Sequence, residues 1–351
     1  MKAMILCAGL GTRLRPLTER WPKPAIPLLG VPLFRYHLSV LRRAGVRAVG
    51  INTHHLPEEM ERCAGAECSR LGLPLEVVRE PVIQGTGGGI RGLRGFLGDA
   101  PFVVFNGDIL FPLDLGAVVA EHKASGAAAT MVLLPMPREE KYAAVEMDAS
   151  GTIRRIAGHG PGGDRLSPWH FSGVHVMNPD VFDFMSKEGA EDINREVYPR
   201  LMAKGLRLRG HVVDAYWSDL GTPSRYLAAQ RDLLFGQVPQ DALLDATPLR
   251  PEARGPGNYW LANGARVDGG VSGPAHFDGC VVEPGAKVGS AVFVGQGARV
   301  APGARLNRVA VFEGTQVSDG EELVEAIAWR EHRISAPLPP SPGTPVTSNP
   351  A

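Results

Sequence analysis

The sequence predicts an α/β protein in two parts. The first is a Rossmann-like mixed, mainly parallel sheet, and the second a short left-handed parallel β-helix. Three observations carry this. Through residue 235, short apolar runs alternate with helical patterns, which in a compact chain means strands joined by crossovers. Residues 236–257, from GQVPQDALL to RGPG, are proline-rich and without period. Beyond them aliphatic side chains recur every six positions, the mark of stacked coils rather than of a layered sheet.

Seven strands are expected in the first part: Lys2–Ala8, Val46–Asn52, Leu75–Arg79, Phe102–Asn106, Ala128–Leu134, Phe171–Met177 and Leu208–Val213. Helical patterns lie between them. In Leu33–Ala44 the residues Leu33, Tyr36, His37, Val40 and Leu41 share one face, and Gly45 follows as a stop. Ligands of such sheets bind beyond the carboxyl ends of the strands. Two polar turns fall at such ends: Gly9-Leu10-Gly11-Thr12-Arg13 and Asn106-Gly107-Asp108.

In the second part Val282, Val288, Val294, Val300, Leu306 and Phe312 keep a six-residue step, with Ala286, Ala298, Ala304 and Ala310 four places after their apolar partners. Val271 and Phe277 keep the same step one residue out of register. The expected division is therefore an α/β domain over 1–235, a linker over 236–257, a β-helix over 258–333 and a disordered tail over 334–351. A β-helix this short gains by association, so a homo-oligomer is expected, with Tyr259, Trp260 and Leu261 placed to help.

Charge excludes several roles. Lysines plus arginines equal aspartates plus glutamates at 37 each, so no basic footprint marks nucleic acid or an anionic membrane as a partner. No apolar run is long enough to span a bilayer. Cys7, Cys63, Cys68 and Cys280 have neither zinc nor disulfide spacing, which fits a reducing cytoplasm.

The stretch GLGTRLRPLTERWPKP, residues 9–24, follows the first strand directly. It lacks the Gly-Lys-Ser/Thr ending of a P-loop, and Leu14 stands where a dinucleotide loop needs its third glycine. As a different anion loop it is coherent. Gly9 and Gly11 let the backbone approach a phosphate, Arg13 and Arg15 add charged donors, and three prolines stiffen the path that aims Lys23.

With three more pieces in order, this stretch resembles the signature of the sugar-1-phosphate nucleotidyltransferases. Gly85-Thr86-Gly87-Gly88-Gly89 is similar to the family's nucleoside loop, Asn106-Gly107-Asp108 to its metal-binding strand end, and Trp217-Ser218-Asp219-Leu220-Gly221-Thr222-Pro223 to its second metal motif. The resemblance implies that a sugar-1-phosphate oxygen attacks the α-phosphorus of a nucleoside triphosphate and releases pyrophosphate. It implies Mg²⁺ on Asp108 and Asp219, Arg13 stabilising charge on the reacting phosphates, and Lys23 holding a phosphate oxygen. Ala8, Gly9, Gly11, Thr12, Arg13, Gln84 and Gly88 are the implied nucleotide contacts, and Gly107 and Gly173 the implied sugar contacts.

The branch it is most like is that of the mannose-1-phosphate guanylyltransferases. Asn194–Pro199 and the repeats point there, with GTP as nucleotide. The N-acetylmuramate-1-phosphate uridylyltransferases, using UTP, are the alternative, through Thr86–Ile90 and Phe171–Val174. A silent nucleotide-sugar-binding subunit is the alternative of another class, though the glycine loop and both aspartates are kept. An acyl-transferring β-helix would rest on His276 alone. The chain departs from the family where Ile156–Pro161 lacks a sugar-phosphate lysine; Arg154, Arg155 and His159 are the cations available to replace it.

Overall fold

The computed structural model describes residues 1–137, 142–239, 241–243, 245–251, 254–255 and 257–338. Its first compact unit comprises 1–27, 31–218 and 238–247, and its second 28–30, 219–237 and 248–351, insofar as these are described.

The first unit is built on nine paired strands: β1 Lys2–Leu6, β2 Ala48–Thr53, β3 Leu75–Arg79, β4 Phe102–Asn106, β5 Ala129–Leu134, β6 Ala144–Met147, β7 Ile153–Ile156, β8 Ser167–Met177 and β9 Leu208–Val212. Their main path runs β7-β6-β8-β4-β1-β2-β3, with β5 pairing both β8 and β9. The pairs β1–β2, β1–β4, β2–β3 and β5–β9 are parallel. Strand β8 runs antiparallel to β4, β5 and β6. All seven expected strands are present. The hairpin β6–β7 is additional: each strand has only four residues, and with only Val145 buried in β6 and only Ile153 and Ile156 in β7 no two-residue period stands out in the sequence.

Buried apolar residues hold the sheet to its helices. Met4, Phe102, Val104, Met131, Leu133, Met177, Tyr198 and Leu201 belong to one cluster. The helix Leu33–Arg43 buries Leu33, Phe34, Tyr36, His37, Leu38, Val40 and Leu41. Among the described residues no helix is long and apolar enough to cross a membrane.

The repeats form coils of parallel strands. Pairing joins residues 17 or 18 apart in most of the repeats, as Ala275 with Val292 and Val281 with Arg299, and 15 or 16 apart where they begin, as Arg266 with Val281 and Tyr259 with Ala275, so a full coil is three six-residue sides and several coils fall short of it. That shortfall shifts the expected register. Val311, not Phe312, pairs with Val294, and Phe312 turns instead to Tyr226, with ring centroids 5.8 Å apart. The interior is filled by Phe277, Val282, Val288, Val294, Val300, Leu306, Val311 and Val317, with Ala286, Ala298 and Ala304 among them. Of the segment expected as a disordered tail, Ile334 and Ser335 lie in the strand His332–Ser335, antiparallel to Glu322–Trp329, and residues 339–351 lie outside the described residues.

The helix Pro223–Leu234 belongs to the second unit by its contacts, whereas the sequence pattern groups it with the first domain. Its reason is visible in Gln230. This fully buried side chain donates to the carbonyls of Ala291 (3.2 Å) and Val309 (3.1 Å). An apolar residue there would strand two buried acceptors, at about 1–3 kcal/mol each. Gln230→Leu is therefore expected to lower the calorimetric transition of the repeat unit while leaving that of the sheet in place; an unshifted repeat transition would contradict it.

Candidate active site

Leu6, the last residue of β1, lies level with Asn52 of β2 on one side and Asn106 of β4 on the other. Parallel pairing thus delivers three chain exits to one edge of the sheet. They approach closely. A Cβ on Gly107 would stand 2.4 Å from the Leu6 carbonyl oxygen, while the Gly107 N–H donates to that same oxygen at 3.1 Å. Only glycine fits there. The exits frame a cavity of about 270 Å³ lined by Leu6, Cys7, Ala8, Gly9, Gly11, Lys23, Pro24, Asn52, Glu80, Ile83, Gly85, Thr86, Asn106, Gly107 and Asp108.

The glycine loop enters this cavity through a left-handed residue, Gly11, at φ 62°. A Cβ there would meet Thr18 Cγ2 at 2.6 Å. The Gly11 carbonyl accepts from the Thr18 hydroxyl at 2.9 Å and from the Leu14 N–H at 2.9 Å. Thr12–Leu14 is a single 3₁₀ turn, in which Thr12 and Arg13 are exposed. The Arg15 N–H donates to the Thr12 carbonyl at 3.3 Å, but the side chains of Arg13 and Arg15 have no hydrogen bond or ion pair among the described residues. The prolines do the expected work: Lys23 lies in a short turn with Pro22 before it and Pro24 after it, and its ammonium donates to Asp108 Oδ2 at 2.7 Å. Two residues 85 positions apart are thereby brought together in the cavity wall.

Asp108 is held from behind. His37 is fully buried and contacts the carbonyl oxygen of the next residue, Ile109, through Nε2 at 2.7 Å. That oxygen can only accept, so the proton sits on Nε2. Burial pushes this imidazole down to about 4, which keeps it neutral and makes it a fixed donor.

The nucleoside-type loop opens at Gly85, φ +69°, where a Cβ would stand 2.5 Å from the Glu191 carbonyl oxygen. Gly85 and Thr86 line the cavity; Gly88 is buried one turn further along the helix Gly85–Gly92. The Gln84 side chain donates to the Val82 carbonyl at 2.8 Å and is not among the lining residues, whereas its backbone N–H is bound by Glu80 Oε2 at 2.9 Å. Glu80, Asn52 and Cys7 are cavity residues that sequence reasoning missed. Each is an ordinary residue type standing alone in the sequence, and no spacing marks them.

A second cavity, about 280 Å³, is lined by Tyr142, Ala143, Val145, Ile156, Ala157, His170, Phe171, Asp192, Asn194 and Arg195. It adjoins the first through Thr86 and Asp192, whose hydroxyl and carboxylate are 3.5 Å apart; the Thr86 hydroxyl also accepts from the Ile193 N–H at 2.9 Å. Tyr142, His170 and Trp217 cluster at its side, with centroids 4.1 Å and 4.7 Å apart for the two His170 pairs. Gly173, at φ +92°, abuts Asn106: a Cβ would meet its Nδ2 at 2.8 Å. Of the cations expected to replace the missing lysine, Arg154 is paired with Asp148 at 2.7 Å and Arg155 with Glu146 at 3.1 Å, and His159 is exposed. None of the three lines this cavity. Arg195 does, exposed and without an acceptor for its guanidinium among the described residues.

Asp219 falls in the second unit. Its carboxylate pairs with the Arg225 guanidinium and accepts from the Gly221 N–H at 3.1 Å.

A sheet whose glycine loop, acidic strand end and second glycine loop share one cavity defines a phosphate-transferring nucleotide enzyme. The chain belongs to the nucleotidyl transferase family, whose profile matches residues 2–235, and within it to the sugar-1-phosphate nucleotidyltransferases. It is 32% identical over 321 residues to the mannose-1-phosphate guanylyltransferase of Mycobacterium tuberculosis (strain ATCC 25618 / H37Rv), covering 91% of this chain and 81% of that protein. It is 29% identical over 348 residues to the UTP–glucose-1-phosphate uridylyltransferase of Synechocystis sp., covering 95% and 88%. Its fold is also that of HddC from Yersinia pseudotuberculosis, crystallised with GMP-PN. There the TM-score is 0.54 at 20% identity, over 65% of this chain and 97% of HddC.

His37 carries a pH signature. Both His37 and His175, a buried neighbour of Tyr198 lowered to about 3, start from 6.5 when exposed. The folded state thus refuses protons that the unfolded chain accepts. Stability should be full above about pH 6.5 and fall as pH drops toward 4, each histidine costing about 1.4 kcal/mol per pH unit. Denaturant midpoints of the first unit between pH 7.5 and 4.5 check it; a flat profile would refute the assignment.

Proposed function

We propose that this chain joins a hexose-1-phosphate to a nucleotide, releasing pyrophosphate, with GTP and mannose-1-phosphate as the preferred pair. The observation that carries the reading is the first cavity, where the glycine loop, the Lys23–Asp108 pair and the Gly85–Thr86 loop converge. The guanylyl preference is supported by the Mycobacterium tuberculosis relative. The uridylyl alternative is supported by the Synechocystis relative.

Two anions must meet in this reaction, so positioning and charge neutralisation supply most of the rate. The acceptor's phosphate oxygen forms a bond to the α-phosphorus as the bond from that phosphorus to the bridging oxygen breaks, and the electron pair leaves with pyrophosphate. Backbone N–H groups of Ala8, Gly9 and Gly11 and the side chains of Thr12 and Arg13 face the triphosphate. Lys23 holds a phosphate oxygen, and Arg13, whose side chain has no partner among the described residues, neutralises charge that builds during transfer. Gly88 and Gln84 shape the nucleoside loop. The second cavity takes the sugar, with Arg195 on its wall to meet the sugar's phosphate, while Gly107 in the wall of the first cavity and Gly173 against Asn106 allow close approach between the two.

Asp108 fits a hard divalent cation. Its carboxylate is half-buried in the cavity wall, and Lys23 engages only Oδ2. Mg²⁺ takes one or two carboxylates and fills its other positions with phosphate oxygens and water; when bound it would neutralise the triphosphate. The sequence motif assigns Asp219 to the same ion. The repeats are left outside the chemistry, as the part through which copies of the chain associate in a homo-oligomer.

Pyrophosphate release measured over four nucleotides and several sugar-1-phosphates tests the reading. The expected result is Mg²⁺-dependent release only with both substrates, fastest with GTP and mannose-1-phosphate; release favouring UTP would select the alternative. Asp108→Asn and Asp219→Asn should each lower kcat by roughly two to three orders of magnitude, the scale of one lost electrostatic contact to the transition state. Arg13→Ala should lower kcat more than it raises KM, and Lys23→Ala should raise the KM for the triphosphate. Near-normal turnover of either aspartate variant would remove that residue from the metal site.

A further inference from the structure

The segment Asn52-Thr53-His54-His55, where β2 ends, touches both loops of the first cavity. Asn52 Oδ1 accepts from the Cys7 N–H at 2.9 Å, and Asn52 Nδ2 donates to Glu80 Oε1 at 2.7 Å. Glu80 Oε2 accepts from the Gln84 N–H at 2.9 Å. Outside this line, His55 Nε2 meets the Thr18 carbonyl at 2.5 Å and His54 Nδ1 the Glu80 carbonyl at 2.7 Å. Thr18 in turn holds the Gly11 carbonyl.

The line has a fixed direction. Cys7 N–H is a donor, so the Asn52 atom facing it must be oxygen, and the amide nitrogen must then face Glu80. Gln84 N–H is also a donor, so both Glu80 oxygens accept. Asn52 and Glu80 are 2% and 5% exposed, so water cannot replace a lost bond. Space is equally tight: a Cβ on Gly89 would stand 2.6 Å from Asn52 Nδ2 and 3.0 Å from Glu80 Oε1. No cation pairs with Glu80 among the described residues. A buried carboxylate held only by neutral donors is a costly arrangement for stability alone.

The geometry points to Asn52 and Glu80 as positioning residues that set the distance between the phosphate loop and the nucleoside loop, and through it the affinity for the nucleoside triphosphate. A triphosphate nucleotide bound across both loops needs its phosphate donors and its nucleoside cradle at one separation, and this pair is the buried link between them. The inference rests on the first cavity being the nucleotide site.

The direction of the line supplies its test. Glu80→Gln sets an amide nitrogen against either Asn52 Nδ2 or Gln84 N–H, donor against donor. Asn52→Asp sets an acceptor against Glu80 Oε1. The double variant Asn52→Asp/Glu80→Gln reverses the middle bond and keeps all three, with the same net charge. In the full-length chain each single variant should raise the KM for the triphosphate about tenfold or more, kcat of the folded enzyme changing less, because a stranded buried donor or acceptor displaces one loop from the other. The double variant should return KM to within about threefold of the parent. Singles that leave KM unmoved, or a double as weak as the worse single, would overturn the inference; the latter would mean that Glu80 acts by its own contact with the nucleotide. Lys23→Ala separates the two levels. If it raises the triphosphate KM while the singles do not, only this inference falls. If none of the variants moves KM, the nucleotide assignment of the cavity falls with it.

Discussion

Parallel pairing of β1 with β2 on one side and β4 on the other is the constraint on which the site depends. With Leu6 level with Asn52 and Asn106, the three strands end together, and whatever follows each is forced into the same small volume. Cys7 to Gly11 follows the first, His54 and His55 the second, and Gly107 and Asp108 the third. The spacing between neighbouring strands leaves no room for a side chain at Gly107. Its N–H closes instead on the Leu6 carbonyl, which turns Asp108 into the cavity. The conformation of the strand end and the position of the carboxylate are one fact.

Charge is arranged on that frame by local means. The chain is neutral overall, so net charge gives an anion no general attraction to the protein and the groups at this edge must supply it. Among the described residues the side chains of two arginines beside the glycine loop, Arg13 and Arg15, have no partner, while many others are spent on surface pairs such as Arg79 with Glu58 and Glu61. Lys23 is paired, but with the carboxylate proposed to hold the divalent cation. Mutual pairing keeps a half-buried ammonium and a half-buried carboxylate satisfied before substrate arrives, and two unpaired charges at the same depth would each pay desolvation.

The repeats follow a different economy. Each coil buries a few aliphatic side chains that stack on the next coil, and the tight corners use left-handed residues, glycines such as Gly297 and Gly303 but also Ala291, Arg308 and Glu325. The three non-glycine corners recur at 17-residue steps, which is also the spacing of the shortened coils. One face of the coil is closed by the helix Pro223–Leu234, through Gln230 and through Tyr226 against Phe312. Family likeness extends through that helix, to residue 235, so a segment inherited with the catalytic part packs with the repeats.

Much of the molecule could be read from the chain alone, because the features concerned are local. Strand and helix positions follow from hydrophobic period, the coil from its six-residue step, and the glycine loop with Lys23 from a density of glycine, proline and arginine that has no use in a core. The sugar-1-phosphate nucleotidyltransferase family was legible for the same reason: its motifs are contiguous. What the sequence could not carry are pairings across long separations. Lys23 meets Asp108, Asn52 meets Glu80 and Cys7, and Arg195 lines the second cavity where Arg154 and Arg155 do not, their charges being taken by Asp148 and Glu146. The antiparallel placement of β8 and the slip that turns Phe312 outward belong here too. A side chain's role in these cases depends on which neighbour satisfies it first, and neighbours are chosen by the sheet order and the coil length, not by anything within reach along the chain.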